Sequence, residues 1–212
     1  MKKKTILLLI IGLITLLFSV FLNYSGFIFL IALFVLIIVT TFMSIWKLIK
    51  RNHIKSLLKS AGIYFVIFTL GIIIGLFIPY KELLLVENFT ISEQIQHIYD
   101  SDQSDRKSLK TFLVPTNQKL VLKRDSIRLE KATSIYLDYL KEKIELSNQD
   151  KFNLAMIFQH GKTTEDFERA YTLASEVAKS NNKIQNAEWL EKATYDRLQL
   201  SLGKPQKYGT QK

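Results

Sequence analysis

The sequence predicts an all-α chain: three transmembrane helices followed by a small soluble domain of antiparallel helix hairpins. Three observations carry this. Three uncharged apolar runs, each close to the length of a bilayer crossing, fill the first 80 residues. No Asp or Glu occurs before Glu82, so all 19 acidic residues fall in the remainder. From about residue 90 onward apolar residues recur at helical spacing between helix start and stop signals, and no window alternates like a strand for more than a few residues.

The apolar runs are residues 5–22, 27–46 and 61–80. Each is apolar on every face, which excludes a surface amphipathic helix. The first begins after Lys2–Lys4 like a signal peptide, but no small-x-small site follows, so an uncleaved anchor is expected. The basic loop 47–60 holds Lys47, Lys50, Arg51, Lys55 and Lys59, whereas the loop Asn23–Gly26 has no charge. Because cationic segments stay in the cytoplasm, the N-terminus and the basic loop are expected inside. Residues 81–212 then lie outside, in a bacterial cell membrane setting. The basic loop reads as a topology determinant, or else as a helix lying on an anionic leaflet with Leu48, Ile54, Leu57 and Leu58 downward. Either way the expected partners are the lipid bilayer and, at Lys47–Lys59, anionic headgroups. No span carries an Asp, Glu, Lys, Arg or His, which argues against an ion or proton pathway. Gly71 and Gly75 form a small-xxx-small match.

Of 29 basic residues, eight precede residue 80 and 21 follow it, leaving only +2 on the C-terminal part. The net charge of +10 is therefore not the footprint of a nucleic-acid binder. Cysteine is absent, which removes disulfides, thiolate metal sites and thiol chemistry.

Residues 81–92 read as a linker and 93–212 as the soluble domain. Thr90-Ile-Ser-Glu93 fits a capping box. Pro115 and Asn117 break the chain, and a helix from Gln118 to about Ile144 places Val121, Leu122, Ile127, Ala132, Ile135, Tyr136, Tyr139 and Leu140 on its apolar stripe. Ser147–Asp150 opens the next helix, which stops at Gly161, read as a left-handed C′ residue. Thr163 or Thr164 caps another, ended by Asn181-Asn182. Asn186 caps the last, with Trp189, Leu190, Ala193, Leu198 and Leu202 inward, and Gly203 and Pro205 terminate it.

Polar residues that neither caps nor solvated faces explain are the candidate site: Asp102, Gln103, Arg106, Asp125, Arg128, Gln159, His160, Asp196, Arg197, Gln206, Tyr208 and Gln211. His160 is the one catalytic candidate, as a general base with Asp102 or Asp196 beside it. The alternative is a His160 that caps its own helix end. The Asp–Arg pairs serve either as buried clamps or as the lining of a polar pocket that includes Gln159. The closing segment is either docked, with Gly209 supplying a positive φ, or a recognition peptide. Three histidines, one of them in the basic loop, make a metal site unexpected, and no cofactor loop or familiar nucleophile motif is present.

Asp102-Gln103-Ser104-Asp105-Arg106, Arg124-Asp125 with Arg128, Phe158-Gln159-His160-Gly161, Asp196-Arg197 and Gly203–Gln211 together resemble a bacterial domain family of unknown function. Its pattern is Asp-Gln-x-x-Arg, Phe-Gln-His-Gly and a closing Gly-x-Pro-Gln-x-Tyr-Gly-Thr-Gln. The likeness covers residues 95–211 and excludes the spans. Tyr171 stands where the family often has His, which argues against a two-histidine metal site. The resemblance implies no reaction. Three readings remain open: a membrane-anchored binding or interaction module with an unknown protein or small-molecule partner, a hydrolase-like enzyme using His160 with Asp102 or Asp196, and a soluble domain that merely scaffolds oligomers formed through the spans.

Overall fold

The computed structural model describes residues 3–19, 24–80, 89–181 and 184–211. The ends of the expected first span (Val20–Leu22), Asn23 of the first loop, residues 81–88 of the linker, and Asn182 lie outside the described residues. Among those described there are nine helices and no strand: α1 (Lys3–Ser19), α2 (Ser25–Ile49), α3 (Lys55–Phe77), α4 (Ile91–Arg106), α5 (Leu109–Leu113), α6 (Pro115–Leu140), α7 (Asn148–Phe158), α8 (Thr164–Lys179) and α9 (Ala187–Ser201). Two compact units contain them. The first is Met1–Tyr80 with Arg106–Asn117; the second is Lys81–Asp105 with Gln118–Lys212.

In the first unit, α2 and α3 are long and apolar enough to cross a membrane. They are not core helices of a water-soluble fold, because only Ser25, Gly26 and Phe29 of α2 and Ile67, Gly71 and Gly75 of α3 are buried. Of the first expected span, the described residues show α1 as far as Ser19, a helix of 17 residues that includes Lys3 and Lys4. The helices also overrun the expected limits. The basic loop is mostly helical, since α2 continues through Lys47 and α3 already begins at Lys55, leaving a turn with Arg51 at φ 54. A separate surface helix across 47–60 is thus not formed. Helix α3 stops at Phe77 because Pro79 drives Ile78 out of the helical region, to ψ 122.

The glycine match in α3 is an actual contact. A Cβ on Gly75 would stand 2.7 Å from the Gly26 Cα, and one on Gly71 would enter the Phe29 ring. Gly75→Leu is therefore expected to force α2 and α3 apart and cost about 1–3 kcal/mol, the usual price of overpacking. Gly62→Leu, at a position open on all sides, should be neutral; thermal unfolding of the full-length protein in detergent compares the two.

In the second unit, the cap signals resolve as follows. Thr90 and Glu93 exchange bonds at 3.3 and 2.8 Å, and Ser147/Asp150 and Thr163/Asp166 close full capping boxes. Pro115 starts α6 rather than breaking the chain, so Asn117 lies inside its first turn; proline suits the first helical position because its missing N–H would be unpaired there anyway. Gly161 does not take a positive φ. It is glycine because a Cβ would strike the Asp166 side chain. Asn186 holds the N-cap place of α9 at φ 66 without a side-chain cap bond.

The core joins Ile95 and Ile98 of α4, Ala132, Ile135 and Tyr136 of α6, Leu154 and Phe158 of α7, Leu173 and Val177 of α8, and Leu190 of α9. Helices α7 and α8, and α8 and α9, pack as successive pairs. Some expected core residues are outside it. Leu122, Ile127, Leu140 and Leu202 are exposed, and Trp189 is 55% exposed. On α9 the inward set is Ala187, Leu190, Ala193, Thr194 and Asp196, about one residue's rotation away from Trp189. On α6 the inward set passes through Val121, Arg128, Ala132 and Ile135, so Arg128 occupies the core-facing place expected for Ile127.

Candidate functional site

Helix α4 presents Ser101, Asp102 and Asp105 at spacing i, i+1, i+4, and all three are buried. Helix α6 presents Arg124, Asp125 and Arg128 at the same spacing. Each set therefore shares one face of its helix, and the two faces meet. Arg124 Nε lies 2.7 Å from Asp105 Oδ2, and its Nη2 donates to Ser101 Oγ at 3.0 Å. Arg128 donates to Asp125 Oδ1 at 2.6 Å, to Ser101 Oγ at 3.0 Å, and to Asp105 Oδ2. Its Nη1 is 3.8 Å from Asp102 Oδ1. Arg128 is only 1% exposed. Such a charge is tolerable in the interior because carboxylates and a hydroxyl replace its water.

Asp102 links this network to His160. Its Oδ2 accepts from Gln103 Nε2 at 3.0 Å and stands 3.8 Å from His160 Nε2. His160 follows the last turn of α7, and its side chain is 25% exposed. Burial first, then the charge of Asp102, raises the Tyr99 hydroxyl above its ordinary pKa.

A cavity of about 410 Å³ opens beside His160. Asp125, Glu130 and Thr133 of α6 form one wall; His160, Lys162 and Asp166 form the other. Asp166 is largely committed to the start of α8, accepting the backbone N–H groups of Lys162 and Thr163 at 3.1 Å each. The volume suits a small molecule. No group of three or more His, Cys, Asp or Glu that would hold a metal ion occurs among the described residues.

The remaining candidates form a second cluster around the closing segment. Asp196 is fully buried on α9 and accepts from the backbone N–H of Lys207 at 2.8 Å, of Tyr208 at 2.9 Å and of Thr210 at 2.9 Å, and from the Thr210 hydroxyl at 2.9 Å. Arg197 grips Gln211 Oε1 through Nε at 3.0 Å and Nη2 at 2.7 Å, and its Nη1 donates to the Gln159 carbonyl. Gln206 and Gln211 exchange side-chain and backbone bonds at 2.9 and 2.8 Å, with Gly209 turning at φ 67 between them. Tyr208 packs edge-on to Tyr195. The closing segment is docked. Burial alone would raise the Asp196 carboxyl, but the bonds from Thr210, Tyr208 and Lys207 outweigh it and lower its pKa to about 2.

The structure thus sorts the candidates. Asp102, Gln103, Asp125, Arg128 and His160 converge in one network, of which Asp125 and His160 line the cavity. Gln159, Asp196, Arg197, Gln206, Tyr208 and Gln211 converge on the closing segment. The Gln159 amide donates to Met156 Sδ at 3.0 Å, facing α7 itself. Arg106 groups with the first unit instead. Sequence reasoning left out Ser101, Asp105 and Arg124 as site members. The signal was present: Asp105 and Arg124 sit in the motifs already quoted, each one helical turn from a chosen residue. Glu130 and Thr133 at the cavity carried no signal beyond helical spacing.

Taken together, the fold defines an all-helical chain with two helices of membrane-crossing character and a separate polar helical unit. No protein-family model, no curated protein and no solved structure matches it.

Proposed function

We propose that this is a membrane-anchored protein whose second unit is an extracytoplasmic binding domain, taking a small polar ligand or a polar group of a partner at the His160 cavity. The observation that carries this reading is the placement of His160: half-open at a 410 Å³ cavity, and backed by an Asp102 that Arg128 holds in the interior. A half-open imidazole over a fixed carboxylate can donate or accept at the ligand according to its protonation. Asp125 and Glu130 add acceptors and Lys162 a donor.

The anchor reading combines α2 and α3 as spans with α1 as a third. The cations around the α2–α3 turn, Lys47 to Lys59, stay cytoplasmic beside anionic lipid. Lys50 lies over the Trp46 ring at 4.7 Å, an arrangement suited to an interface. Membership in the bacterial family of unknown function belongs to the same proposal, supported by the way its motif residues cluster.

A hydrolase-like reading is favoured by one feature, the Asp102–His160 approach. Asp102 rather than Asp196 would be the partner, because the oxygens of Asp196 are taken up by the closing segment. The separation of 3.8 Å exceeds a hydrogen bond, so a bound substrate would have to draw the pair together.

The test uses the full-length protein in lipid nanodiscs against a panel of amino acids, sugars, dicarboxylates and short peptides. At least one compound should raise the melting temperature, and His160→Ala should weaken it about tenfold or more, some 1.4 kcal/mol, while Gln149→Ala on the outer face of α7 should not. Unchanged affinity in His160→Ala removes the cavity from the function. Turnover of a panel compound that stops in His160→Ala decides for the enzyme. A reporter fused after Lys212 that is active only in the cytoplasm would refute the orientation.

A further inference from the structure

We infer that α5 is a membrane-surface segment, one that sets Phe112 and Leu113 among the phospholipid headgroups at the end of the bilayer where α2 begins and α3 ends. The inference rests on reading α2 and α3 as spans and adds a lipid contact well beyond them in sequence.

The segment Arg106–Asn117 packs with the first unit, although α4 separates it from α3 along the chain. It meets one end of the α2–α3 pair. Leu109 is fully buried against Gly26 at the start of α2. The Phe112 ring meets Phe27 edge-on at 5.2 Å. Lys110 is buried, donates to the carbonyl of Ile78 just past α3, and lies 3.6 Å from the centre of the Tyr80 ring. A cation held at the carboxyl end of a helix is where the helix dipole favours it. Thr111 and Tyr80 share a hydroxyl contact at 3.3 Å.

What α5 leaves uncovered is apolar. Phe112 is 61% and Leu113 53% exposed. Facing water, these side chains would be a liability. Phe112 instead joins the apolar surface of the spans through Phe27, at the end where α2 begins after an exposed Tyr24 and α3 ends on Phe77, which is 81% exposed. Aromatic side chains gathered at the end of a span mark the membrane–water boundary. A short helix with a buried cation behind it and two apolar side chains in front has the form of an interfacial wedge. The occupant of the patch is therefore lipid, and a second copy of the chain is the competing outcome.

The chain has no cysteine, so single spin labels report cleanly. Phe112→Cys, Phe34→Cys on the exposed face of α2, and Ser201→Cys at the end of α9 are labelled in the full-length protein. Vesicles contain phosphatidylcholine and phosphatidylglycerol, and collisions are measured with oxygen and with a water-soluble nickel chelate. The oxygen-to-nickel ratio at Phe112 should exceed that at Ser201 by about threefold or more and stay below that at Phe34, as for a shallow interfacial site. Leu113→Cys repeats the measurement without removing the Phe27 contact. If Phe34 is lipid-facing while both α5 labels match Ser201, the wedge is wrong and the spans stand. If Phe34 itself collides with nickel like Ser201, the spans fail and the wedge with them. Labels on α5 shielded from both reagents, with dipolar broadening between copies, would replace lipid with a second chain.

Discussion

Arg128→Met is expected to cost about 3–5 kcal/mol, the range for removing one partner of a buried ion pair, and to be the most damaging single substitution in the second unit. Methionine retains most of the side-chain volume, so the loss is not a cavity effect. It arises because Asp102 loses its guanidinium neighbour and Asp105 keeps only Arg124, while both carboxylates stay nearly inaccessible to water. Domains of this size are stable by about 5–15 kcal/mol, so most of the margin goes. Arg128→Lys should rescue little, since one ammonium cannot span Ser101, Asp105 and Asp125 as the fork does. Adding Asp105→Asn to Arg128→Met should recover part of the loss, because the pair is coupled. Thermal unfolding of the full-length protein, with hydrogen exchange in α4 and α6, reads all three variants. An unchanged melting temperature in Arg128→Met would mean that the network is solvated in solution.

The same residue shows where the sequence is legible and where it is not. Start signals were readable because they are local: Thr90 with Glu93, Ser147 with Asp150 and Thr163 with Asp166 need only three residues of chain. The stripe of α6 is illegible for the opposite reason. Apolar periodicity prefers Ile127 to Arg128, and only the carboxylate of Asp105, 23 residues away, makes the arginine the inward residue. The turn that sets the phase of α9 depends on Asn186 at φ 66, which periodicity does not encode, and so periodicity alone turns Trp189 inward. In the first unit, charge-free runs identified α2 and α3, while their ends were set by Pro79 and by helical propagation through lysines. Helix α5 was invisible, being only five residues between Ser108 and Val114-Pro115. Of the candidate site, the residue types were legible and the partition was not. One list of polar residues becomes two clusters, because whether Asp196 faces the closing segment or His160 is a matter of tertiary contact.

Asp196→Ala is expected to release the closing segment while leaving the α7–α8 pair intact. Three backbone N–H groups and one hydroxyl converge on this carboxylate, and each charge-assisted bond lost moves a local opening equilibrium by roughly tenfold. Trypsin cleavage after Lys207, an exposed lysine held by its own N–H bond to Asp196, should accelerate by at least that factor, with the folded core undigested. The pH dependence follows from the depressed carboxyl. Its pKa is about 2 in the folded chain and about 3.9 when unfolded. The folded carboxylate therefore stabilises fully above about pH 4, and its contribution drains away as pH falls from there through about 2, because the unfolded form takes up the proton first. Pepsin, active across that window, should cut the wild-type segment progressively faster as pH falls from 4 to 2, relative to cuts in other exposed loops. Asp196→Ala should be fast throughout, with no such slope. A wild-type segment equally resistant at both ends of the window would show that Arg197 and Gln211, rather than the Asp196 carboxylate, hold it in place.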